Sequence, residues 1–383
     1  MRTAAITKSV LGIRKRMEGG RIIGKGTYGC VFDPPLRCKD GSTSIVSSKG
    51  ERILGKVSKS EDIIHERDAA IYLSKVPEYN KYFIIINPSS ECQPTSVEKQ
   101  KERNLFKCNV VREEGLEHLD HYTVKYGGVI IQTALEKFKG RPFPLVNFVT
   151  RILEIGTVLA LNGFVHYDIH SGNLLLDEKT FMPRLIDFGM SYRSTEINKT
   201  IVDWRWKMYK PEQSAFGIEP TEVSVATGLK NGRSAKQALY DSIKYKNSLR
   251  AAEVILGLSR IKQAKEFTNF WNTSAAAKAQ DWVALFKTYW PAFDAWGFGV
   301  YLLGIFQILM SLPETSEFKA NQGRFKELLR GLLRIDPLRR IDCVEALSAW
   351  DPENALLESA AAKRWLDEKA RIREKIRTMP LTS

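Results

Sequence analysis

The stretch His166-Tyr167-Asp168-Ile169-His170-Ser171-Gly172-Asn173-Leu174-Leu175-Leu176 governs the reading of this 383-residue chain. An aspartate and an asparagine lie five positions apart, followed by an apolar tripeptide of strand type. Further on, Leu185-Ile186 leads into Asp187-Phe188-Gly189. Two carboxylates and an amide are hard oxygen donors, the set that holds Mg2+ together with phosphate oxygens. The spacing suits phosphoryl transfer: Asp168 accepts the proton of an attacking hydroxyl, while Asn173 and Asp187 are the candidate metal ligands.

Working outward, Gly24-Lys25-Gly26-Thr27-Tyr28-Gly29-Cys30-Val31 fits G-x-G-x-x-G-x-V between two strand candidates. Glycines there let backbone amides approach phosphate oxygens without an intervening Cβ. A dinucleotide-binding turn shares the first six positions but needs a helix next. Here Val31-Phe32 reads as a strand, closed by Pro34-Pro35. Ile53-Leu54-Gly55-Lys56 puts a lysine on the next strand, and Glu66 falls on the helical pattern after it. Such a Lys can pair with the α/β-phosphates while the Glu holds it in place.

Taken together, the chain resembles eukaryotic-type protein kinases over roughly residues 20 to 350. Lys210-Pro211-Glu212 resembles the end of the activation segment, Asp294-Ala295-Trp296-Gly297-Phe298-Gly299 the start of a buried helix, and Leu333 to Arg340 a late motif. The resemblance implies that Arg340 pairs with Glu212, that Asp294 props up the catalytic loop, and that Trp296–Leu312 is a core helix. The glycine turn running into Asp33-Pro34-Pro35-Leu36-Arg37-Cys38, with the H-x-D-I-H-x-G-N loop, resembles kinases of large cytoplasmic DNA viruses. That likeness implies a host-cytoplasmic protein, packaged in the virion. The expected fold is α+β and bilobal, with a small strand-rich N-lobe and a large helical C-lobe. The expected layout is a basic extension over 1–20, an N-lobe over 21–134, a C-lobe over 135–350 with a helical insertion at about 213–290, and a helical extension over 351–383. The implied cofactors are ATP and Mg2+, with Mn2+ as an alternative, and the implied partners are protein substrates, basic or structural ones among them. Strand order places the adenine contacts just after Ile131, at Gln132 and Ala134.

Some positions depart from the pattern. Tyr167 stands where regulated kinases carry the Arg that receives an activation-loop phosphate, which favours activity without priming. His170 stands where Ser/Thr kinases carry a Lys, so it is a candidate catalytic group with a titratable charge. The same H-x-D-x-H-x-G-N form occurs in small-molecule phosphotransferases, and that alternative stays open beside a catalytically silent scaffold. Far more chain separates Glu212 from Asp294 than the family needs. Lys236–Leu258 and Asp281–Tyr289 read as helices there, either a docking platform or a buttress.

Composition is that of a globular protein, with 43% hydrophobic and 27% charged residues. A net charge of +14 favours an anionic surface partner. Basic clusters at Arg14-Lys15-Arg16 and over 363–377 lack interleaved aromatics, which argues against sequence-specific nucleic-acid reading. The N-terminus has no apolar signal-type run, so no secretory signal is expected. Trp296–Leu312 is near the lower length for a membrane span, and the motif at its start makes it a core helix instead. Five cysteines without C-x-x-C spacing (Cys30, Cys38, Cys92, Cys108, Cys343) read as free thiols, with one oxidised pair as the alternative, and not as a zinc site. Strand candidates in the first part are Arg21–Ile23, Cys30–Phe32, Ile53–Val57, Phe83–Ile86, Cys108–Val111 and Val129–Ile131.

Overall fold

The structure, a computed structural model, describes residues 20–26, 29–41, 51–100, 104–137, 142–206, 209–313 and 315–378. Arg14, Lys15 and Arg16 of the basic lead-in, and Thr27 and Tyr28 of the glycine turn, lie outside the described residues. The described strands are β1 (Arg21–Lys25), β2 (Gly29–Asp33), β3 (Ile53–Ser58), β4 (Asp120–Lys125), β5 (Phe164–Val165), β6 (Leu174–Leu176), β7 (Pro183–Leu185) and β8 (Tyr192–Arg193). The first helices are α1 (Ser60–Leu73), α2 (Tyr79–Tyr82), α3 (Asn109–Glu114), α4 (Ile131–Lys137), α5 (Leu145–Leu161) and α6 (Lys199–Arg205). There follow α7 (Thr221–Lys230), α8 (Ala235–Tyr245), α9 (Asn247–Leu256), α10 (Arg260–Thr273) and α11 (Ala275–Ala279). The last are α12 (Trp282–Ser311), α13 (Ser316–Leu332), α14 (Cys343–Trp350) and α15 (Ala360–Thr378). The protein is therefore mixed α+β and mostly helical, with a small antiparallel sheet near its start. It forms two compact units, one reaching to Ile63 and including Ile86–Tyr126, the other comprising Ile64–Ile85 and the chain from Gly127.

In the first unit the sheet order is β1-β2-β3-β4, all antiparallel. Its inner face buries Cys30 and Phe32 of β2 and Val57 of β3, packed with Leu36, Leu105, Val110 and Leu116. Cys108-Asn109-Val110-Val111 is not a strand: Cys108 precedes α3, whose Val110 and Val111 are buried while Arg112, Glu113 and Glu114 face solvent. A four-residue apolar run fits either period, and here the packing of one helix face against β2 decides. Phe83–Ile86 makes only single bridges, Phe83 to Leu185 and Ile86 to Val124. Val129–Ile131 is not a strand either, since Val129 makes one bridge to Leu176 and α4 starts at Ile131.

The cysteines correct the sequence reading. Cys30 is bonded to Cys108 and Cys38 to Cys92, leaving Cys343 as a buried free thiol. No local spacing announced these pairs, because each is closed by folding across 78 and 54 residues.

The second unit is built around α5 and α12. Twelve of the residues of α5 are buried, and its polar residues Asn147, Thr150, Arg151 and Glu154 gather on one face, so the helix is amphipathic with a wide apolar side. Among the described residues α12 is the one helix long and apolar enough to cross a membrane, yet 72% of its most apolar window is buried inside the protein. It is a core helix, as Trp296 with 0% exposure illustrates. The helices between α6 and α12 join this same core through Leu249, Ala252 and Leu256 of α9 and Phe267 and Phe270 of α10.

Arg340 does not pair with Glu212, which is exposed. Its guanidinium makes a two-pronged contact with Glu222, Nη1 to Oε1 at 2.7 Å and Nη2 to Oε2 at 3.0 Å, both side chains fully buried. Nη1 also donates to the Ala292 carbonyl and Nε to that of Arg334. The partner expected at Glu212 is therefore Glu222, ten residues later in the chain. Fully buried ion pairs are intolerant of losing one partner. Glu222→Ala should therefore cost about 3–5 kcal/mol in denaturant unfolding. Glu212→Ala should stay within about 0.5 kcal/mol of wild type, and equal losses would reverse the assignment.

Candidate active site

In the first unit the glycine turn joins β1 to β2, closed by a hydrogen bond from the Gly26 amide to the Gly29 carbonyl at 2.8 Å. Gly24 pairs with Val31 and Lys25 with Cys30, after a register shift between Ile22 and Gly24. Gly29 is required by packing, since a Cβ there would sit 2.2 Å from the Val57 carbonyl oxygen. Lys56 lies in the middle of β3, opposite Val31 on one side and Tyr122 on the other, and is half-buried. The glycine turn and Lys56 are therefore on neighbouring strands of one sheet. Glu66 lies on α1 in the second unit and is buried.

The decisive loop of the second unit hangs from one carboxylate. Asp294 on α12 accepts from the His166 amide at 2.7 Å and the Tyr167 amide at 2.8 Å. Burial pushes the Asp294 carboxyl above its usual pKa, while His166 and these two amide donors pull it back down. The anchor holds Tyr167 at φ +68°, a left-handed conformation unfavourable for an aromatic residue. Directly after it comes Asp168. Its amide donates to His166 Nδ1, and His166 Nε2 in turn donates to the Ile186 carbonyl at 3.0 Å. One imidazole thereby ties the Asp168 backbone to the residue before Asp187. Its ring also packs edge-on against the buried Phe188 at 4.9 Å.

Asn173 is 5% exposed, and its Nδ2 donates to the Asp168 carbonyl at 2.9 Å and to Oδ2 at 3.3 Å. With Nδ2 committed, Oδ1 is the amide atom left to meet a cation. Asn173 immediately precedes β6 and Asp187 follows β7, two strands paired Leu174 to Leu185. The Ile186 amide donates to the Asn173 carbonyl, so both candidate metal ligands leave the same end of one hairpin. Asp187 itself has φ +64°. Carboxylate and amide oxygens at one hairpin end match the chemistry Mg2+ requires.

His170 reaches Asp168 Oδ2 with Nε2 at 3.5 Å, and its Nδ1 accepts from the Gly172 amide at 3.0 Å. The second contact fixes the tautomer, because an amide can only donate: the ring proton sits on Nε2, facing the carboxylate. Gly172 makes this fold possible, since a Cβ there would lie 2.8 Å from the ring. The geometry makes His170 a hydrogen-bonding neighbour of Asp168.

Aromatic and backbone contacts hold the segment after Asp187. Tyr167 meets Tyr192 and Phe286 at tilted angles and Phe293 edge-on, ring centres 5.9, 5.9 and 6.3 Å away. Lys246, between α8 and α9, is 1% exposed; its ammonium donates to the carbonyls of Phe216 at 2.7 Å and Glu219 at 2.5 Å. Ser248 adds a bond to the Gly217 carbonyl. Three carbonyls of the turn leading into Pro220-Thr221-Glu222 are thus fixed by Lys246 and Ser248. Sequence reading missed Lys246, since a lysine in a helical stretch carries no signal of burial.

Gln132 and Ala134 fall on α4, Gln132 exposed and Ala134 with 0% exposure. The strand preceding them is β4, so the chain leaves the sheet earlier, through Tyr126-Gly127-Gly128, where it also passes from the first unit to the second. The alternating Asp120–Lys125 followed by two glycines was the available signal.

No protein-family model matches the chain. A stretch of 105 residues, 26% of the chain, is 35% identical to mitogen-activated protein kinase kinase kinase 3 of Arabidopsis thaliana. The match spans 16% of that protein's length, and over it the chain is similar to a protein kinase.

Burial lowers the Lys246 ammonium from 10.5 to about 7, with Glu219 and Glu222 opposing the shift. The unfolded chain therefore binds more protons than the folded one between these values, and folding stability contributed by this site rises with pH across that window. Measured against Lys246→Met, the wild-type melting temperature should gain steadily from about pH 7 to about pH 10 and stay level below. A difference independent of pH would show the amine to be solvated.

Proposed function

We propose that the chain is an ATP-dependent protein kinase of bilobal fold that phosphorylates Ser/Thr hydroxyls of protein substrates. The observation that carries this reading is the loop in which Asp168 is hydrogen-bonded by Asn173, hung from Asp294 and tied through His166 to the residue before Asp187. The partial likeness to a plant kinase supports the same class.

In this reading the Gly24–Gly29 turn and Lys56 bind the phosphates of ATP, and Tyr126-Gly127-Gly128, rather than Gln132 and Ala134, take the adenine. Asn173 and Asp187 would hold Mg2+, which when bound neutralises charge on the β- and γ-phosphates. Asp168 accepts the proton of the substrate hydroxyl as it attacks in line. His170 Nε2 keeps the Asp168 carboxylate oriented. The aromatic cluster at Tyr167 and the Lys246 clamp supply the order that an activation-loop phosphate gives elsewhere, so the enzyme works unprimed.

His170 also favours a second reading, phosphotransfer to a small molecule, since a neutral hydrogen-bonding group beside the base makes no demand for a peptide. The Glu222–Arg340 pair and the clamped turn before it favour the protein substrate, because they build a rigid segment beside the loop.

Incubation with labelled ATP, Mg2+ and a basic protein, with phosphoamino-acid analysis, tests the assignment. Asp168→Ala should lower transfer about 10²–10⁴-fold while circular dichroism stays unchanged. Label on serine and threonine is expected, at equal rates before and after phosphatase treatment. Transfer that survives Asp168→Ala would overturn the reading, and label confined to small-molecule acceptors would select the second one.

A further inference from the structure

Away from the loop, the first unit gathers three soft donors that the reading above does not use. Cys38, Cys92 and His121 place Sγ, Sγ and a ring nitrogen within 4.8 Å of one another. Cys38 and His121 are buried, and Cys92 is half-buried at the edge of the group. His121 Nδ1 stands 3.4 Å from Cys92 Sγ and 3.9 Å from Cys38 Sγ. Tetrahedral zinc, with Zn–S about 2.3 Å and Zn–N about 2.0–2.1 Å, separates nitrogen from sulfur by about 3.5 Å. Both distances bracket that value.

The backbones carrying the donors are fixed to one another. Cys92 and His121 exchange both hydrogen bonds, Cys92 N to His121 O at 3.0 Å and His121 N to Cys92 O at 2.9 Å. Cys38 is bracketed by bonds from the Thr95 amide to the Arg37 carbonyl and from the Lys39 amide to the Gln93 carbonyl. The three donors therefore sit on three adjoining extended segments, and little ordering remains to be done when a ligand arrives. The imidazole is 1% exposed and its Nε2 has no hydrogen-bond partner; the ring's polar contacts are with the two sulfurs. Nδ1 is thus the ring nitrogen turned toward both sulfurs, the atom a metal held there would take.

We propose that Cys38, Cys92 and His121 form a redox-gated Zn2+ site, closed as a disulfide in the state described here and open to the metal when reduced. The step balances as follows. A dithiol or glutathione-class reductant gives two electrons and two protons to the Cys38–Cys92 bond, yielding two thiols, and is itself oxidised to a disulfide. Zn2+ then displaces both thiol protons and binds two thiolates and His121 Nδ1, with water completing the tetrahedron on the Cys92 side. Positions 38, 92 and 121 are too far apart in the chain for any motif spacing to reveal them.

Cobalt serves as the visible probe. The full chain, reduced with a phosphine and titrated with Co2+, should bind one equivalent with intense thiolate-to-cobalt charge-transfer absorption. Zn2+ should bleach it and raise the melting temperature. The oxidised chain, and reduced Cys92→Ser, should show no such band, whereas Cys343→Ser should keep it. If reduction loosens the first unit, Zn2+ should restore its near-ultraviolet circular dichroism, because metal binding then drives folding. A reduced chain that lacks the band and is not refolded by Zn2+ overturns the proposal, as does a band that persists in Cys92→Ser.

Discussion

One buried carboxylate organises the second unit. Asp294 holds two consecutive amides, of His166 and Tyr167, and through them fixes a backbone that Tyr167 would not adopt unaided. Because Asp294 belongs to α12, whose neighbouring Trp296 is fully buried, the anchor inherits the rigidity of the core. Everything chemical hangs below it: the Asp168 amide on His166, the Asn173 amide on Asp168, and Ile186 on both His166 and Asn173. The arrangement converts a short polar loop, ordinarily the softest part of a protein, into an extension of a helix.

The same logic recurs around it. The turn before Pro220 is not left to solvent but is gripped by Lys246 and Ser248, and Glu222 is locked by Arg340. Charged groups are placed inside at a desolvation cost, and each is answered by several oxygen or nitrogen partners. Such groups add little net stability, yet they allow one arrangement and penalise its neighbours. A site that must keep an acid, an amide and a second acid in register profits from that trade.

Much of this was legible in the sequence, and the failures share a cause. Asp168, Asn173 and Asp187 could be singled out by their fixed spacings, and the structure brings Asn173 against Asp168 and to the same hairpin end as Asp187. Ile53–Val57 was found by period and forms β3 nearly as expected, and the helical pattern holding Glu66 forms α1. Arg340 was matched with the wrong glutamate because Pro211-Glu212 and Pro220-Thr221-Glu222 offer equally plausible local patterns, and only three-dimensional burial separates them. Cys108–Val111 and Val129–Ile131 were misread because three or four apolar residues fit a helix face as well as a strand. The disulfides and Lys246 were invisible for a simpler reason: their partners are 54 to 78 and 27 to 30 residues away.

The helices between Glu222 and Asp281 bear on how such a protein can change. Read along the chain they look like a separable run of short helices that could be trimmed back. Yet α9 and α10 contribute leucines and phenylalanines to the very interior that α5 and α12 share. Removing them would leave an oily wound several side chains wide, with the buried acid of Glu222 near its edge. These helices are thus structural members: their outer surface can vary, but deleting them would open the interior that α5 and α12 need to stay folded.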